Sequence, residues 1–166
     1  MDLESLFGLP AHPLLVHGAV VLLPLAVVGT LVVAAVPPAR RHFAPVVLVL
    51  AMAATGAVGL AQTSGEALED RVRETDLVDE HTDRGESVLP WAIGVTVAAA
   101  AVTAADRLGR PRSSDVRQRL ATVVLIAVAL VVGAGATWSV IDVGHSGAKA
   151  TWTTLEDEDG GVVDDD

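Results

Sequence analysis

The chain lacks cysteine and tyrosine altogether, and aromatic residues make up 3% of it. The absence of cysteine excludes disulfides, thiolate ligation of iron–sulfur clusters, covalently attached c-type haem and a cysteine nucleophile. An acidic, aromatic-poor chain also gives no basis for nucleic-acid binding. A functional site must therefore be built from histidines, carboxylates, hydroxyls and the backbone.

Charge is missing from four long stretches of the sequence. Of the 166 residues, 51% are apolar although the net charge is −10, which indicates apolar spans separated by charged segments. Each uncharged stretch is close to the ~20 residues that cross a bilayer as a helix. They predict spanning helices at 13–36, 43–62, 88–105 and 120–141. The predicted fold class is therefore all-α, an integral membrane four-helix bundle.

Basic residues concentrate in two of the connecting segments. Residues 37–42 and 106–119 carry seven of the eleven Lys and Arg residues, and the positive-inside rule places such segments in the cytoplasm. We therefore expect a multi-pass protein of the cytoplasmic membrane, with both termini and an acidic loop over 63–87 outside. The expected organisation is a transmembrane domain over 1–152, followed by an acidic, disordered tail over 153–166.

The first apolar stretch is expected to be a retained span. No Lys or Arg precedes it, and it is longer than the apolar core of a signal peptide.

Four of the five histidines are predicted at the outer end of the bundle. His12 and His17 lie at the start of the first span, His81 precedes the third, and His145 follows the fourth. Histidine is costly in hydrocarbon and is the commonest metal ligand among side chains. This one-sided set is the main functional signal in the sequence, whereas His42 lies at the other end beside basic residues.

Three hypotheses compete for this set of histidines. The first is one b-type haem, with a redox-linked role, held between two histidines on different helices. The second is a divalent transition-metal site built from His17, His81 and His145. In both, His12 is a fourth ligand or a gate, and Asp142 orients His145 from outside the ligand set. The third is a hydrogen-bonded, pH-sensitive histidine cap without a cofactor, in a non-catalytic bundle that docks a partner.

The expected partners are the lipid bilayer and, beyond it, a redox partner or a second copy of the chain. No predicted span contains Asp, Glu, Lys or Arg, which disfavours a proton or ion pathway through the membrane. No spacing marks a serine as a nucleophile. The sequence alone therefore assigns no enzymatic activity.

Two short internal similarities hint at a duplicated helical hairpin. Leu23-Pro24-Leu25-Ala26 aligns with Leu89-Pro90-Trp91-Ala92. Farther along, Thr63-Ser64-Gly65-Glu66-Ala67 corresponds loosely to Ser146-Gly147-Ala148.

The run His12-Pro13-Leu14-Leu15-Val16-His17 resembles the opening motif of a family of small microbial membrane proteins, domain of unknown function 2231. Segments 79–91 and 144–152 fit the same family, so the resemblance covers about residues 9–152. It implies a four-helix membrane domain, in some members associated with redox-type domains. The family usually has an aromatic residue and a proline after its second histidine, where this chain has Gly18 and Ala19.

Overall fold

The structure is a computed structural model that describes residues 5–6, 9–69, 76–107 and 115–159. Five helices make up almost all of it: α1 (Ala11–Ala35), α2 (Pro37–Glu69), α3 (Asp76–Glu86), α4 (Val88–Arg107) and α5 (Asp115–Asp159). Two short antiparallel strands, β1 (Ser5–Leu6) and β2 (Leu9–Pro10), precede α1. Among the described residues, only Val36 and Ser87 lie outside these elements.

Four helical runs in the described chain are long and apolar enough to cross a membrane. The third of them joins α3 to α4. Six of the eleven residues of α3 are charged, so the part of this run that suits hydrocarbon is α4, and α3 lies ahead of the span. The predicted fold class, an all-α membrane bundle with four spanning helices, is confirmed.

The helices continue beyond the apolar stretches that predicted them. Residues 63–69 of the expected outer loop extend α2, and α3 occupies 76–86, while 70–75 lie outside the described residues. The backbone of α5 stays helical to Asp159, where the sequence predicted a disordered tail from 153, and 160–166 lie outside the described residues. Adding a turn to an existing helix needs no new nucleation, which favours such extensions.

The four spanning helices form a closed ring. Helix α1 packs against α2 and α5, while α4 packs against α2 and α5. The chain thus consists of two hairpins, α1–α2 and the α3–α4 run with α5. Both hairpins start and finish at the end of the bundle that carries α3, which we call the site end. The opposite end, with Val36, Arg107 and the start of α5, is the basic end.

A single residue, Val36, separates α1 from α2 at the basic end. The last carbonyls of α1 have no intrahelical donor. Arg40 supplies two donors, with Nε–H bonded to the Val33 carbonyl at 2.9 Å and Nη2–H to the Ala34 carbonyl. The guanidinium therefore caps α1 and holds the turn closed.

The bundle core consists mainly of alanine and valine, together with Leu23. Larger apolar side chains point outward, and Val21, Val46, Val97 and Val131 are each more than 60% exposed. Such exposure is costly in water and favourable in hydrocarbon, where only the backbone polar groups must be satisfied internally. The outer surface of the spans is therefore suited to lipid.

The orientation of the bundle in the membrane stays a prediction, and the cysteine-free sequence makes it easy to test. We expect Asp83→Cys, an exposed site on α3, to react with a membrane-impermeant maleimide on intact cells. Gln118→Cys, an exposed site near the start of α5, should react only after lysis, because the basic end is predicted to be cytoplasmic. The reverse labelling pattern would show that the predicted orientation is wrong.

Close approach between helices depends on glycine at specific points. A Cβ added at Gly133 on α5 would lie 2.8 Å from Cγ1 of Val27 on α1. A Cβ at Gly94 on α4 would lie 3.2 Å from Cγ1 of Val132 on α5. Small residues at such crossings let helices pack tightly in lipid, where no hydrophobic force drives them together.

We predict that Gly133→Leu destabilises the bundle, because its side chain would force α1 and α5 apart. Overpacking of this kind costs about 1–3 kcal/mol, and Tm should fall by roughly 2–4 °C per kcal/mol for a chain of this size. The control is Gly56→Leu, since Gly56 is exposed and nothing lies within 4 Å of its added Cβ. Thermal unfolding in detergent measures both, and equal Tm values would contradict the proposed contact.

Candidate functional site

The imidazole of His12, half-buried at the start of α1, is held by the end of α2. Its Nδ1 lies 3.1 Å from the Ala61 carbonyl oxygen and 3.0 Å from Ser64 Oγ. Ser64 in turn donates its hydroxyl proton to the same carbonyl at 2.9 Å. A carbonyl oxygen can only accept, so the proton of the neutral imidazole is assigned to Nδ1. Nε2 then carries a free lone pair.

The imidazole of His81, on α3, is held by α5 in the same way. Its Nδ1 lies 3.0 Å from Ser146 Oγ, and Ser146 donates to the Val143 carbonyl at 3.0 Å. The backbone of Val143 also hydrogen-bonds to His81. We call each arrangement of histidine, serine and serine-bound carbonyl a clasp. The first clasp is His12 with Ser64 and Ala61, and the second is His81 with Ser146 and Val143.

A glycine beside each serine makes room for the imidazole. A Cβ added at Gly65 would lie 3.1 Å from Cε1 of His12, and one at Gly147 would lie 2.9 Å from Cε1 of His81. Any side chain at these positions would push the ring away from the helix. The glycine at the C-terminal side of each clasp serine is therefore part of the clasp geometry.

The two clasps occupy corresponding places in the two hairpins. The segments of α2 and α5 that end at the clasp serine and glycine share the pattern Ala-Thr-x2-Val-x5-Ser-Gly, at residues 54–65 and 136–147. The first helices share Leu-Pro-x-Ala-x3-Thr, at 23–30 and 89–96. The serines and glycines were not predicted as site residues from the sequence. The signal that could have identified them is the short similarity between the Ser-Gly segments of the two hairpins.

His12 and His81 are close enough to interact electrostatically. The pKa of His81 is lowered from its ordinary value of 6.5, first by burial, which disfavours the charged form, and second by its electrostatic interaction with His12. The backbone hydrogen bond to Val143 opposes these effects. His81 is consequently held neutral over a wider pH range than a histidine in water.

The structure does not bring His17 and His145 to this pair. His17 is exposed, and its Nδ1–H donates to the Pro13 carbonyl one turn earlier in α1 at 2.6 Å. His145 is exposed on α5. Within the described ranges, no three His, Asp or Glu side chains lie where they could share a metal ion. The proposed ligand role of His17, His81 and His145 stays a prediction.

Asp142, predicted to orient His145, instead joins α5 to α3. It accepts a hydrogen bond from Nη1 of Arg84 at 3.0 Å, while Nη2 of Arg84 contacts Glu80 at 2.5 Å. From the opposite hairpin, Gln62 on α2 donates to the Gly85 carbonyl of α3 at 2.9 Å. The ion pairs are about one-third exposed and add little stability, but together these contacts fix the position of α3 and so of His81.

His42 is the histidine that the structure places at the basic end. It is exposed, and its Nδ1–H donates to the Pro38 carbonyl in its own helix at 2.9 Å. It takes no part in the clasps and serves as a natural reference for them.

The site end thus presents two imidazoles, one from each hairpin, whose protons are directed to Nδ1. Such a pair can ligate a metal centre, accept protons or exchange hydrogen bonds through Nε2. No curated protein and no solved structure matches this chain. The family model described as "Predicted membrane protein (DUF2231)" matches residues 8–155. The chain therefore belongs to this family of predicted membrane proteins, as its terminal motifs indicated.

Proposed function

We propose that this multi-pass membrane protein binds one b-type haem between His12 and His81 and has a redox-linked role. The observation that carries the proposal is the pair of clasps, which contributes one imidazole from each hairpin with its Nδ1 hydrogen-bonded and, among the described residues, no hydrogen bond at Nε2. Haem-ligating histidines are typically oriented by a hydrogen bond from the other ring nitrogen. When bound, haem would supply one-electron chemistry.

The number of imidazoles favours haem over a divalent ion. Two histidines are enough to hold a haem iron, whereas zinc and similar ions take three or four protein ligands. The described residues offer two interacting histidines and no third carboxylate or imidazole within reach of the same ion. A divalent-metal site would need His17 or His145 to move toward His81, with Asp142 released from Arg84.

The chain's own residues prepare the pair for ligation. Burial lowers the pKa of His81, so its ring is neutral at physiological pH and keeps the Nε2 lone pair that a metal requires. The contacts of Arg84 and Gln62 hold α3 against α5 and α2. The ligand atoms are thereby positioned before any cofactor arrives, which reduces the entropy cost of binding.

We predict that detergent-purified protein shows a Soret band that is lost in His12→Ala and His81→Ala, because each variant removes one of the two histidines that would hold the haem. His42→Ala and His17→Ala should keep the band, since both histidines are exposed and bonded within their own helices. Absorption spectra with metal analysis provide the measurement. A wild-type protein with neither a Soret band nor stoichiometric metal would exclude both ligand hypotheses.

The second candidate is a pH-sensitive histidine cap that joins the helix ends and presents the acidic site end to a partner, without a cofactor. The lowered pKa of His81 and the hydrogen bonds that each histidine makes across helices favour it. Protonating His81 would place a charge in a half-buried position next to His12. The cap would then weaken in acid.

We predict that acid reduces stability through His81. Because its folded-state pKa lies below 6.5, the unfolded chain binds more protons, and stability is fully present above pH 6.5 and lost as pH falls from there through the lower folded pKa. His81→Gln should flatten this dependence, while His145→Gln, an exposed position, should not. Thermal unfolding in detergent between pH 8 and pH 5 measures the effect, and identical slopes in the wild type and His81→Gln would contradict it.

A further inference from the structure

We infer that Ser64 and Ser146 are positioning residues that hold His12 and His81 as Nδ1–H tautomers, so that Nε2 is the ligand atom on both. The inference deepens the proposed function and rests on it for the identity of the ligand, haem. The tautomers themselves are a property of the chain and do not require a cofactor.

Serine can orient a histidine here because its hydroxyl donates one hydrogen bond and accepts another at the same time. Ser64 and Ser146 donate to the carbonyls three residues earlier, at 2.9 and 3.0 Å. This bond commits the hydroxyl proton, so the oxygen can only accept from the imidazole, which must then supply the proton from Nδ1. A chain of Nδ1–H, hydroxyl and carbonyl results, and consecutive hydrogen bonds of this kind strengthen each other.

The burial of the two serines strengthens their preference for the Nδ1–H tautomer. Ser64 is 7% exposed and Ser146 is 5% exposed, so water does not readily replace a lost partner. If the imidazole took the Nε2–H form, two lone pairs would face each other at 3.0 Å unless the serine broke its bond to the carbonyl. An unmade hydrogen bond in a buried position costs more than a made one gains. The clasp therefore disfavours the Nε2–H tautomer.

Ser139 shows that the bond to a carbonyl does not by itself explain the serines. It lies on α5, is 4% exposed, and donates to the Ala136 carbonyl at 3.0 Å. Its hydrogen bond matches those of the clasp serines, yet no histidine is hydrogen-bonded to it in the part of the chain that the structure describes. Ser139 is therefore a matched control for substitution.

The test is nitrogen NMR on full-length protein made by cell-free synthesis in detergent with 15N-histidine and no haem. The His12→Gln and His81→Gln spectra assign the two rings, and the Nδ1 and Nε2 shifts at pH 8 report their tautomers. We expect Nδ1–H at both histidines in the wild type. Ser64→Ala leaves the Ala61 carbonyl as the remaining acceptor for Nδ1–H of His12, so the ratio of Nδ1–H to Nε2–H at His12 should fall about tenfold, the size of effect that one net hydrogen bond supplies, without changing His81.

The reciprocal variant and two controls complete the design. Ser146→Ala should change His81 alone, Ser139→Ala should change neither ring, and Ser64→Thr should restore the wild-type ratio because threonine keeps the hydroxyl. Circular dichroism verifies that each variant is folded. Unchanged tautomers in folded Ser64→Ala and Ser146→Ala, or the same change in Ser139→Ala, would overturn the inference.

Failure of the haem proposal is distinguishable from failure of this one. The tautomers are measured without haem, so a protein that shows no Soret band can still show the serine-dependent ratios. Conversely, where the wild type binds haem, a normal spectrum with Nε2–H at His12 and His81 before haem is added would refute the role of the serines and leave the haem proposal standing.

Discussion

The hydrogen bond from a histidine Nδ1–H to a buried serine hydroxyl, made once in each hairpin, is the interaction on which the site end depends. It joins the start of α1 to the end of α2 and α3 to α5. Each serine is also bonded to a carbonyl of its own helix. The hydrogen bond of the histidine therefore depends directly on the position of that helix. Rotation of α2 or α5 by one residue would remove the partner from its imidazole.

The spanning helices were predictable because hydrocarbon imposes a simple rule. A segment that crosses the bilayer must be long, uncharged and helical, and four stretches of this chain meet that rule. The family was predictable for a different reason, since its motifs are short and retained at both ends of the matched region, 8–155. Both predictions used information that lies contiguously in the sequence.

The pairing of the histidines was not predictable in the same way, because it depends on how helices rotate and how far they extend. His17 lies one turn and a half after His12, and its exposure follows from the face of α1 that packs against α2 and α5. Asp142 is near His145 in sequence, but helical α3 brings Arg84 to it across the bundle end. The charged segment 76–86 has the hydropathy of a loop, but it forms an amphipathic helix that packs against α5.

Each clasp lies wholly within one hairpin, and this has a mechanical consequence. The distance between His12 and His81 is set by contacts between the hairpins, which include α1 with α5, α2 with α4 and α2 with α3. One close crossing among them is Gly133 against Val27. Tilting one hairpin against the other would break neither clasp, but it would strain the hydrogen bond from Gln62 to the Gly85 carbonyl, which joins the hairpins at the site end, and it would change the distance between the imidazoles. The helix crossings within the apolar spans, together with the Gln62 hydrogen bond, therefore set the distance between His12 and His81.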